Sequence, residues 1–295
     1  MINVYTLRFE QPDKKKPDHY EVLGEIFQNS FLKNHPDANF QLDVIPAPNH
    51  EERYPHKDLT IEKKIVTKQE PQDFKSSMTR KNSTQKSKPR KEEKIITRTL
   101  KAPPAFSFNN IKLEFWTNFV LNAPEGSFIL LSDCDMLCRA PLEGVFWENE
   151  FDIGLTRHCR NTLPYNAGVI FVKATEKARE FMKRWLEADN LFYWEDPALH
   201  QKYRNLYAGM NQASLGYILE QGVDKKSIVD FPSSEFNAYR GDLQDIHPAF
   251  PRLVHLKSDL RKLYLEDPNS PVDNKIYNTL IKEIHENLHS GIHSR

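Results

Sequence analysis

One stretch of the chain, residues 127–136, constrains the fold more than any other; it reads Ser-Phe-Ile-Leu-Leu-Ser-Asp-Cys-Asp-Met. Its first half is a short apolar run after a Pro-Glu-Gly turn signal, a pattern typical of a strand buried on both faces. Two carboxylates, Asp133 and Asp135, follow at once. Ligands of open α/β sheets bind beyond the carboxyl ends of the strands. The pair is therefore expected to hold a divalent cation that also binds a phosphate-bearing substrate.

The strand and helix patterns predict an α/β fold with a mixed, mainly parallel central sheet flanked by helices. The chain opens strand–helix–strand over residues 2–7, 18–33 and 40–44, an order that favours parallel strands and a right-handed crossover. Further helices are expected at 108–121, 176–188, 210–220 and 273–288, and further strands at 151–155, 169–172, 227–231 and 252–256. We expect a turn around Asn166 and Gly168 to precede the strand at 169–172, and the strand containing His255 to close the sheet.

The chain is expected to form a single domain over residues 1–265, with a C-terminal amphipathic helix within 266–295 that packs on it or caps it. A polar insertion at about 50–104 interrupts the domain. Residues 63–101 carry 13 Lys and Arg against 4 Asp and Glu, a basic excess hidden by the formal net charge of zero. The middle of the insertion, 75–91, has one large apolar residue and is predicted to be disordered. We interpret the insertion as mobile and solvated; the alternatives are an electrostatic arm for nucleic acid, an anionic membrane or an acidic acceptor, and a lid over an anionic ligand.

The composition indicates a globular chain of 295 residues, long enough to bury a large core. No apolar run approaches the roughly 20 residues of a membrane span, and the N-terminus lacks the pattern of a signal peptide. Three cysteines, Cys134, Cys138 and Cys159, cannot form a disulfide framework, and their spacing with His158 does not match common zinc sites. Buried free thiols in a cytoplasmic protein are therefore expected.

The order of these motifs resembles the GT-A nucleotide-diphospho-sugar transferases, especially the glycogenin-like and galactosyltransferase-like glycosyltransferases. The matching pieces are Phe128-Ile-Leu-Leu-Ser-Asp-Cys-Asp135, Tyr165-Asn-Ala-Gly-Val-Ile-Phe-Val172, Asn211-Gln212 at a helix start, Phe231-Pro-Ser-Ser-Glu-Phe-Asn237 and Leu253-Val-His-Leu256. The similarity covers roughly residues 2–7 and 108–262. It implies a GT-A fold and transfer of a sugar from a nucleotide diphosphate sugar, most simply a UDP-sugar, to an unknown acceptor that is a glycan, a protein or a small molecule.

The same resemblance implies roles for individual residues. Asp133 and Asp135 would bind Mn²⁺ or Mg²⁺ with His255 as the third protein ligand. Asn166 would line the sugar pocket together with the backbone of Ala167 and Gly168. The other residues assigned to the nucleotide sugar are Thr6, Leu7 and Arg8 at the nucleoside, Lys257 or Lys262 at the phosphates, and the pair Asn211 and Gln212. Independently of the family, Lys112 on the helix at 108–121 could reach a phosphate.

The chain departs from the family pattern at two points. Asn211 stands where the family often has Asp, and the sequence after His255, Leu-Lys-Ser-Asp-Leu-Arg-Lys, does not match the family's His-x-x-Gly-x-x-Lys ending. An inverting reaction needs a carboxylate base for the acceptor hydroxyl. Glu195 and Asp196 are the candidate catalytic residues for that role, and a solvated turn or helix start before Pro197 explains them equally. Retention and inversion both stay open.

Two other functions compete with that of a glycosyltransferase. A phosphohydrolase of the haloacid-dehalogenase type also carries Asp-x-Asp after a buried strand, with the first Asp as nucleophile. Its usual residues after the second Asp are not matched by Met136-Leu137-Cys138, and it leaves Asn166-Ala-Gly unexplained. A non-catalytic, transferase-like binding protein is the third possibility, because of the altered regions at Asn211 and after His255.

Overall fold

The computed structural model describes residues 1–9, 19–45, 59–66, 93–100, 107–158, 164–207, 210–239, 251–257, 261 and 275–290. The expected disordered segment 75–91, Cys159 and Lys262 lie outside the described residues. No helix in the described part of the chain combines the length and apolar character that crossing a membrane requires.

A six-stranded sheet forms the centre of the fold. Its strands lie in the order β2 (Asn39–Ile45), β1 (Ile2–Phe9), β5 (Phe128–Asp133), β8 (Tyr165–Lys173), β7 (Ile153–Arg157) and β9 (Ile228–Pro232). Strand β8 runs antiparallel to β5 and β7, whereas the β2–β1, β1–β5 and β7–β9 pairs are parallel. The expected mixed, mainly parallel sheet is therefore confirmed, and the carboxyl end of β5 lies in its middle.

Helices cover both faces of this sheet. One face carries α1 (His19–Asn34) and the short α3 (Glu143–Trp147), and the other carries α2 (Ser107–Asn122), α4 (Glu176–Asn190) and α6 (Met210–Glu220). The described chain also has α5 (Pro197–Tyr207), α7 (Ser233–Phe236), α8 (Lys275–Ser290), a π-helical turn Leu191–Glu195 and a 3₁₀ turn Lys225–Ser227. Successive side chains of β5 point to opposite faces of the sheet. Leu131 packs in the cluster with Trp116 and Trp185, and Leu130 packs in the cluster with Phe27 and Phe31.

Strand β10 (Leu253–His255) does not close the central sheet, so that expectation is wrong. It pairs antiparallel with β6 (Met136–Cys138) in a separate two-stranded sheet. Side chains of this small sheet pack against α1 and α8 in one apolar cluster, which includes Leu23, Leu137, Val254, Leu280 and Ile284. Because β6 begins directly after Asp135, pairing with β6 brings β10 to the carboxylates.

The residues expected to form a turn before β8 belong to the strand itself, which begins at Tyr165. The β7–β8 register shifts between Leu155 and Arg157, as in a β-bulge. Within β8 the Gly168 N–H donates a hydrogen bond to Asn166 Oδ1 at 2.9 Å, a turn-like local contact. The sequence signal at Asn166 and Gly168 therefore marks an irregular strand segment, because a bulge uses the same residue chemistry as a turn.

Two stretches of the insertion are described, β3 (Leu59–Val66) and β4 (Glu93–Leu100), and they pair antiparallel. The sequence analysis predicted no strand there. Both strands contain lysine and glutamate, which are residue types depleted in strands. These charged residues masked the strand signal of the β-branched residues between them.

Candidate functional site

Asp133 and Asp135 lie at the carboxyl end of β5, where the sequence predicts them. Asp133 is the last residue of β5, and Asp135 lies between β5 and β6. Cys134 between them is buried, and burial raises the pKa of its thiol well above the ordinary value. The two carboxylates therefore face one common side, while the neutral thiol of Cys134 packs in the interior.

His255, at the end of β10, forms a compact group with both carboxylates. One ligand atom from each of Asp133, Asp135 and His255 lies within 4.8 Å of the others. His255 Nε2 is 3.1 Å from Asp135 Oδ1 and 3.7 Å from Asp133 Oδ2. We name these three residues the Asp-Asp-His group. Carboxylate oxygens and one imidazole nitrogen around a common point fit a divalent cation.

The charge of Asp135 is maintained although its side chain is buried. Burial alone would raise the pKa of this carboxyl, but the positive charges of His255 and then Arg261, together with hydrogen bonds, hold it below its ordinary value. The Asp135 carboxylate is therefore ionised at neutral pH.

Asn237 orients the His255 ring from the side opposite the carboxylates. His255 Nδ1 lies 3.0 Å from Asn237 Oδ1, an acceptor, so Nδ1 carries the proton and donates it there. The Asn237 amide is itself fixed, because its Nδ2 donates to Thr156 Oγ1 at 2.9 Å. The other nitrogen, Nε2, faces the carboxylates and donates a hydrogen bond to Asp135 Oδ1 at 3.1 Å. Loss of that proton would leave the lone pair that a metal ion binds.

Gly168 lets β8 approach the Asp-Asp-His group closely. A Cβ at this position would lie 2.8 Å from His255 Cε1 and 3.0 Å from Asp133 Oδ2. The first separation is shorter than a carbon–carbon contact allows and the second is tight for carbon and oxygen, so any residue larger than glycine would require His255 or Asp133 to shift. The neighbouring Asn166 and Ala167 are buried, and the Asn166 carbonyl accepts hydrogen bonds from Thr156 and Asn237.

Lys112 on α2 contacts the group directly. Its Nζ donates to Asp133 Oδ1 at 2.6 Å and lies 4.5 Å from the centre of the Trp116 ring. In this structure its ammonium is bound to Asp133, and the prediction that Lys112 could reach a phosphate stays a prediction. A buried, charge-assisted bond of this kind fixes the orientation of the carboxylate.

Arg261 is a basic residue at the site that the sequence analysis did not select. One of its guanidinium nitrogens, Nη1, lies 4.0 Å from Asp135 Oδ2 and donates to the Tyr20 hydroxyl at 2.7 Å. It is six residues after His255, the offset of the lysine in the His-x-x-Gly-x-x-Lys pattern, and this offset is the signal that could have found it. Lys257, which the family resemblance placed at the phosphates, has its Nζ 4.5 Å from the centre of the Tyr239 ring.

The end of β1, with Thr6, Leu7 and Arg8, lies beside the first carboxylate. The assignment of these residues to a nucleoside stays a prediction. In the parallel β1–β5 register Thr6 pairs with Ser132 and Leu7 pairs with Asp133. Thr6 and Leu7 are buried, and Thr6 Oγ1 has no hydrogen-bond partner among the described residues. Arg8 Nη2 lies 3.7 Å from Glu21 on α1.

A buried polar network connects α2, α4 and the start of α6. Asp189, fully buried at the end of α4, accepts hydrogen bonds from Asn110 at 2.8 Å and from Ser214 at 2.6 Å. Burial raises the pKa of its carboxyl, which the two hydrogen bonds partly offset. Asp189 was not among the predicted site residues, although an acid in the last turn of a helix opposes the helix dipole and was a usable sequence signal.

Asn211 and Gln212 lie in the first turn of α6, next to this network. The backbone carbonyl of Asn211 accepts a hydrogen bond from Trp185 Nε1 at 2.9 Å. The buried side-chain Nδ2 of Asn211 has no hydrogen-bond partner within the part of the chain that the structure describes. Gln212 Nε2 donates to the Tyr207 carbonyl at 3.1 Å.

Glu195 and Asp196, the candidate bases, lie between the π-helical turn and α5. Asp196 Oδ1 accepts a hydrogen bond from the Leu199 N–H at 2.9 Å and so caps the start of α5. Glu195 is exposed. Neither residue belongs to the Asp-Asp-His group, and the contact of Asp196 matches the alternative of a helix start before Pro197; a role for either as a base stays a prediction.

Comparison with known proteins gives structural but no sequence matches. No protein-family model and no curated protein sequence matches the chain. Among solved structures, a glycosyltransferase involved in the glycosylation of the major capsid of PBCV-1 is 12% identical, with a TM-score of 0.50 over 90% of this chain and 98% of that chain. The galactosyltransferase LgtC, solved with donor and acceptor sugar analogues, is 11% identical, with a TM-score of 0.49 over 98% of this chain and 96% of that chain. GlyE of Streptococcus pneumoniae TIGR4 is 10% identical, with a TM-score of 0.48 over 98% of this chain and 63% of that chain. The likeness to the PBCV-1 glycosyltransferase shows that the two chains share a fold.

Proposed function

We propose that this chain, which has the GT-A fold of the nucleotide-diphospho-sugar transferases, is a metal-dependent glycosyltransferase. The observation that carries the proposal is the Asp-Asp-His group at the carboxyl end of β5, with ligand atoms within 4.8 Å of one another. This is the edge of an open α/β sheet at which ligands bind. A fold of this kind with a metal-ligand group at that edge supports the use of a nucleotide diphosphate sugar.

The donor atoms favour Mn²⁺, with Mg²⁺ as the second choice. Carboxylates suit both ions, whereas an imidazole ligand is more usual for transition metals. Asn237 holds the His255 ring with Nε2 toward Asp135, and Lys112 holds Asp133. The ion would supply Lewis-acid stabilisation of the diphosphate.

Transfer of the sugar requires the sugar–phosphate bond to break, and negative charge then grows on the leaving diphosphate. Cationic groups stabilise that charge when they are already in place. Arg261 meets this need, because its guanidinium lies 4.0 Å from Asp135 and can contact the diphosphate as a fork of donors. We assign it the phosphate-binding role that the sequence analysis gave to Lys257 or Lys262.

The remaining assignments follow the position of each residue around the group. Thr6, Leu7 and Arg8 lie beside Asp133 in the β1–β5 register and would meet the nucleoside, with a UDP-sugar as the favoured donor. Asn166, Ala167 and Gly168 would line the sugar pocket. The acceptor, and the choice between retention and inversion, stay open in this proposal.

The test measures binding and transfer with a panel of UDP- and GDP-sugars, with and without Mn²⁺. We expect Mn²⁺-dependent binding of one nucleoside diphosphate and slow release of that diphosphate from its sugar. Asp133→Asn and Asp135→Asn should each weaken this binding at least about tenfold, because each removes an anionic metal ligand. Asp37→Asn, in an exposed turn away from the group, is the matched control and should bind as the wild type does.

Two outcomes would replace the proposal. Phosphate release through an acyl-phosphate on Asp133 would identify a phosphohydrolase. Binding of a nucleotide that does not depend on Mn²⁺, Asp133 or Asp135, with no turnover, would identify a non-catalytic binding protein.

A further inference from the structure

A second concave site lies at the opposite end of the sheet from the Asp-Asp-His group. It is a groove of about 440 Å³ between α2 and the first residues of β1 and β2, and its wall includes Asn3, Asn39 and Asn122. In the β1–β5 register Asn3 pairs with Ile129, four residues before Asp133. Tyr5, which also lines the groove, pairs with Leu131, two residues before Asp133. At about 3.3 Å per strand residue, the lining of the groove therefore extends from about 7 to about 13 Å from the level of Asp133 along the sheet. Its volume is in the range of small-molecule sites.

Apart from the Tyr5 hydroxyl, the polar side chains of the groove are amides. They are Asn3, Asn39, Gln41, Asn118 and Asn122, and no lining residue is charged. The adjacent Asp43 is engaged, because it accepts hydrogen bonds from the Tyr5 hydroxyl at 2.6 Å and from Gln41 Nε2 at 3.1 Å. Three more of the amides already donate once within the protein: Asn3 to the Phe128 carbonyl at 3.2 Å, Asn39 to Asn3 Oδ1 at 3.4 Å and Asn122 to the Asn118 carbonyl at 2.8 Å. Each NH₂ group has a second N–H and each amide an oxygen acceptor, so the amides still match hydroxyl groups, which also donate and accept. The groove is therefore suited to an uncharged ligand with many hydroxyl groups.

Aromatic rings supply the apolar part of the groove. Tyr5 and Phe119 stack face to face with their ring centres 4.4 Å apart, so each ring uses one face on the other. Phe115, one turn before Phe119 on α2, is 36% exposed at the groove. An exposed ring beside neutral amides can pack against the apolar C–H face of a sugar while the amides bind its hydroxyl groups.

We propose that this groove binds a neutral saccharide. A nucleobase would also use amides and aromatic rings, but it gains most from stacking, and the inner ring pair is already stacked on itself. A ligand whose hydroxyl groups project in several directions uses amides from both α2 and the strands, which a flat base does not. The inference goes beyond the proposed function, because binding here requires neither the metal ligands nor a nucleotide.

The test uses the intact chain in EDTA, without nucleotide, and follows the side-chain amide signals of Asn118 and Asn122 by NMR. The probes are lactose, maltose, cellobiose and N,N′-diacetylchitobiose, with uridine and adenosine as the nucleobase comparison. We expect at least one disaccharide to shift the groove amides. Phe115→Ala and Asn118→Ala, both at exposed positions, should weaken its binding about tenfold, the loss expected for one contact.

Matched controls separate the groove from general surface effects and from the metal site. Trp147→Ala removes an exposed aromatic ring elsewhere, and Gln201→Ala removes an exposed amide on α5; both should bind as the wild type does. Asp135→Asn should also bind the saccharide normally, even if the proposed transferase activity is absent. The inference is wrong if no disaccharide shifts these amides, if the nucleosides shift them instead, or if the groove variants bind normally.

Discussion

At the scale of single residues, the candidate site depends on its three proposed metal ligands and equally on the residues that pack against them or hydrogen-bond to them. Gly168 leaves room for the His255 ring, because a Cβ there would lie 2.8 Å from Cε1, and Asn237 contacts the ring at Nδ1. Neither belongs to the Asp-Asp-His group. Each nevertheless restricts where the imidazole nitrogen that faces the carboxylates can lie.

We predict that Gly168→Ala disrupts the Asp-Asp-His group. The added methyl group would meet His255 Cε1 at 2.8 Å and Asp133 Oδ2 at 3.0 Å, so at least one ligand must move. We expect a stability loss of about 1–3 kcal/mol, as for overpacking in general, and a larger relative loss of Mn²⁺ binding. Urea unfolding and metal titration measure the two effects. Gly24→Ala is the control, because its methyl group meets only the end of the flexible Leu42 side chain, at 3.3 Å.

We predict that Asn237→Ala weakens metal binding while His255 remains in place. The substitution removes the acceptor of the His255 Nδ1–H and the donor to Thr156. Loss of an outer partner of this kind typically lowers metal affinity by about 10–100-fold. Isothermal titration with Mn²⁺ measures the change, and Asn149→Ala, which removes a bond to the Val145 carbonyl away from the site, is the control. Equal affinities of wild type and Asn237→Ala would show that Asn237 does not position the ring.

At the scale of elements, the small β6–β10 sheet is what brings His255 to the end of β5. That sheet is supported from behind by α1 and α8, through the cluster that includes Leu23, Val254 and Leu280. Helix α8 is also fixed at its polar edge, because Arg139 makes a paired contact with Glu283 at 2.6 and 2.8 Å. The C-terminal helix therefore stabilises the element that carries one ligand of the site.

Substitution of Leu280 by alanine should destabilise this arrangement. Leu280 is buried, and truncating a buried leucine to alanine costs about 2–5 kcal/mol. Chemical denaturation measures the loss. Lys282→Ala, on the same helix with its side chain 79% exposed, should change stability by less than about 0.5 kcal/mol. A Leu280→Ala variant as stable as the Lys282→Ala variant would mean that α8 does not support the small sheet in solution.

At the scale of the whole molecule, the Asp-Asp-His group would link metal binding to the stability of the fold. Its side chains come from the central sheet and from the small sheet, so a bound cation would connect the two. Such a connection exists only in the folded chain, since the ligands are far apart in sequence.

Mn²⁺ should therefore stabilise the folded protein, and EDTA should reverse the effect. At a free concentration of about 100 times the dissociation constant, the gain is about 2.7 kcal/mol. Thermal melts with Mn²⁺ and with EDTA measure the difference. The double variant Asp133→Asn/Asp135→Asn should melt at the same temperature in both conditions; a rise like that of the wild type would place the metal elsewhere.

The sequence by itself determined the strand that ends at Asp133, the common side of Asp133 and Asp135, the opening β-α-β unit and the mainly parallel sheet. These features follow from local periodicity, because burial of a strand or helix face imposes a regular pattern on neighbouring residues. Only the tertiary structure decided that β10 pairs with β6, that Asn237 fixes His255, that Arg261 lies beside Asp135, and that Lys112 contacts Asp133. Each of these contacts joins residues that are distant along the chain or lie on different elements. No local pattern encodes such pairings, since they depend on how the two sheets and their helices pack.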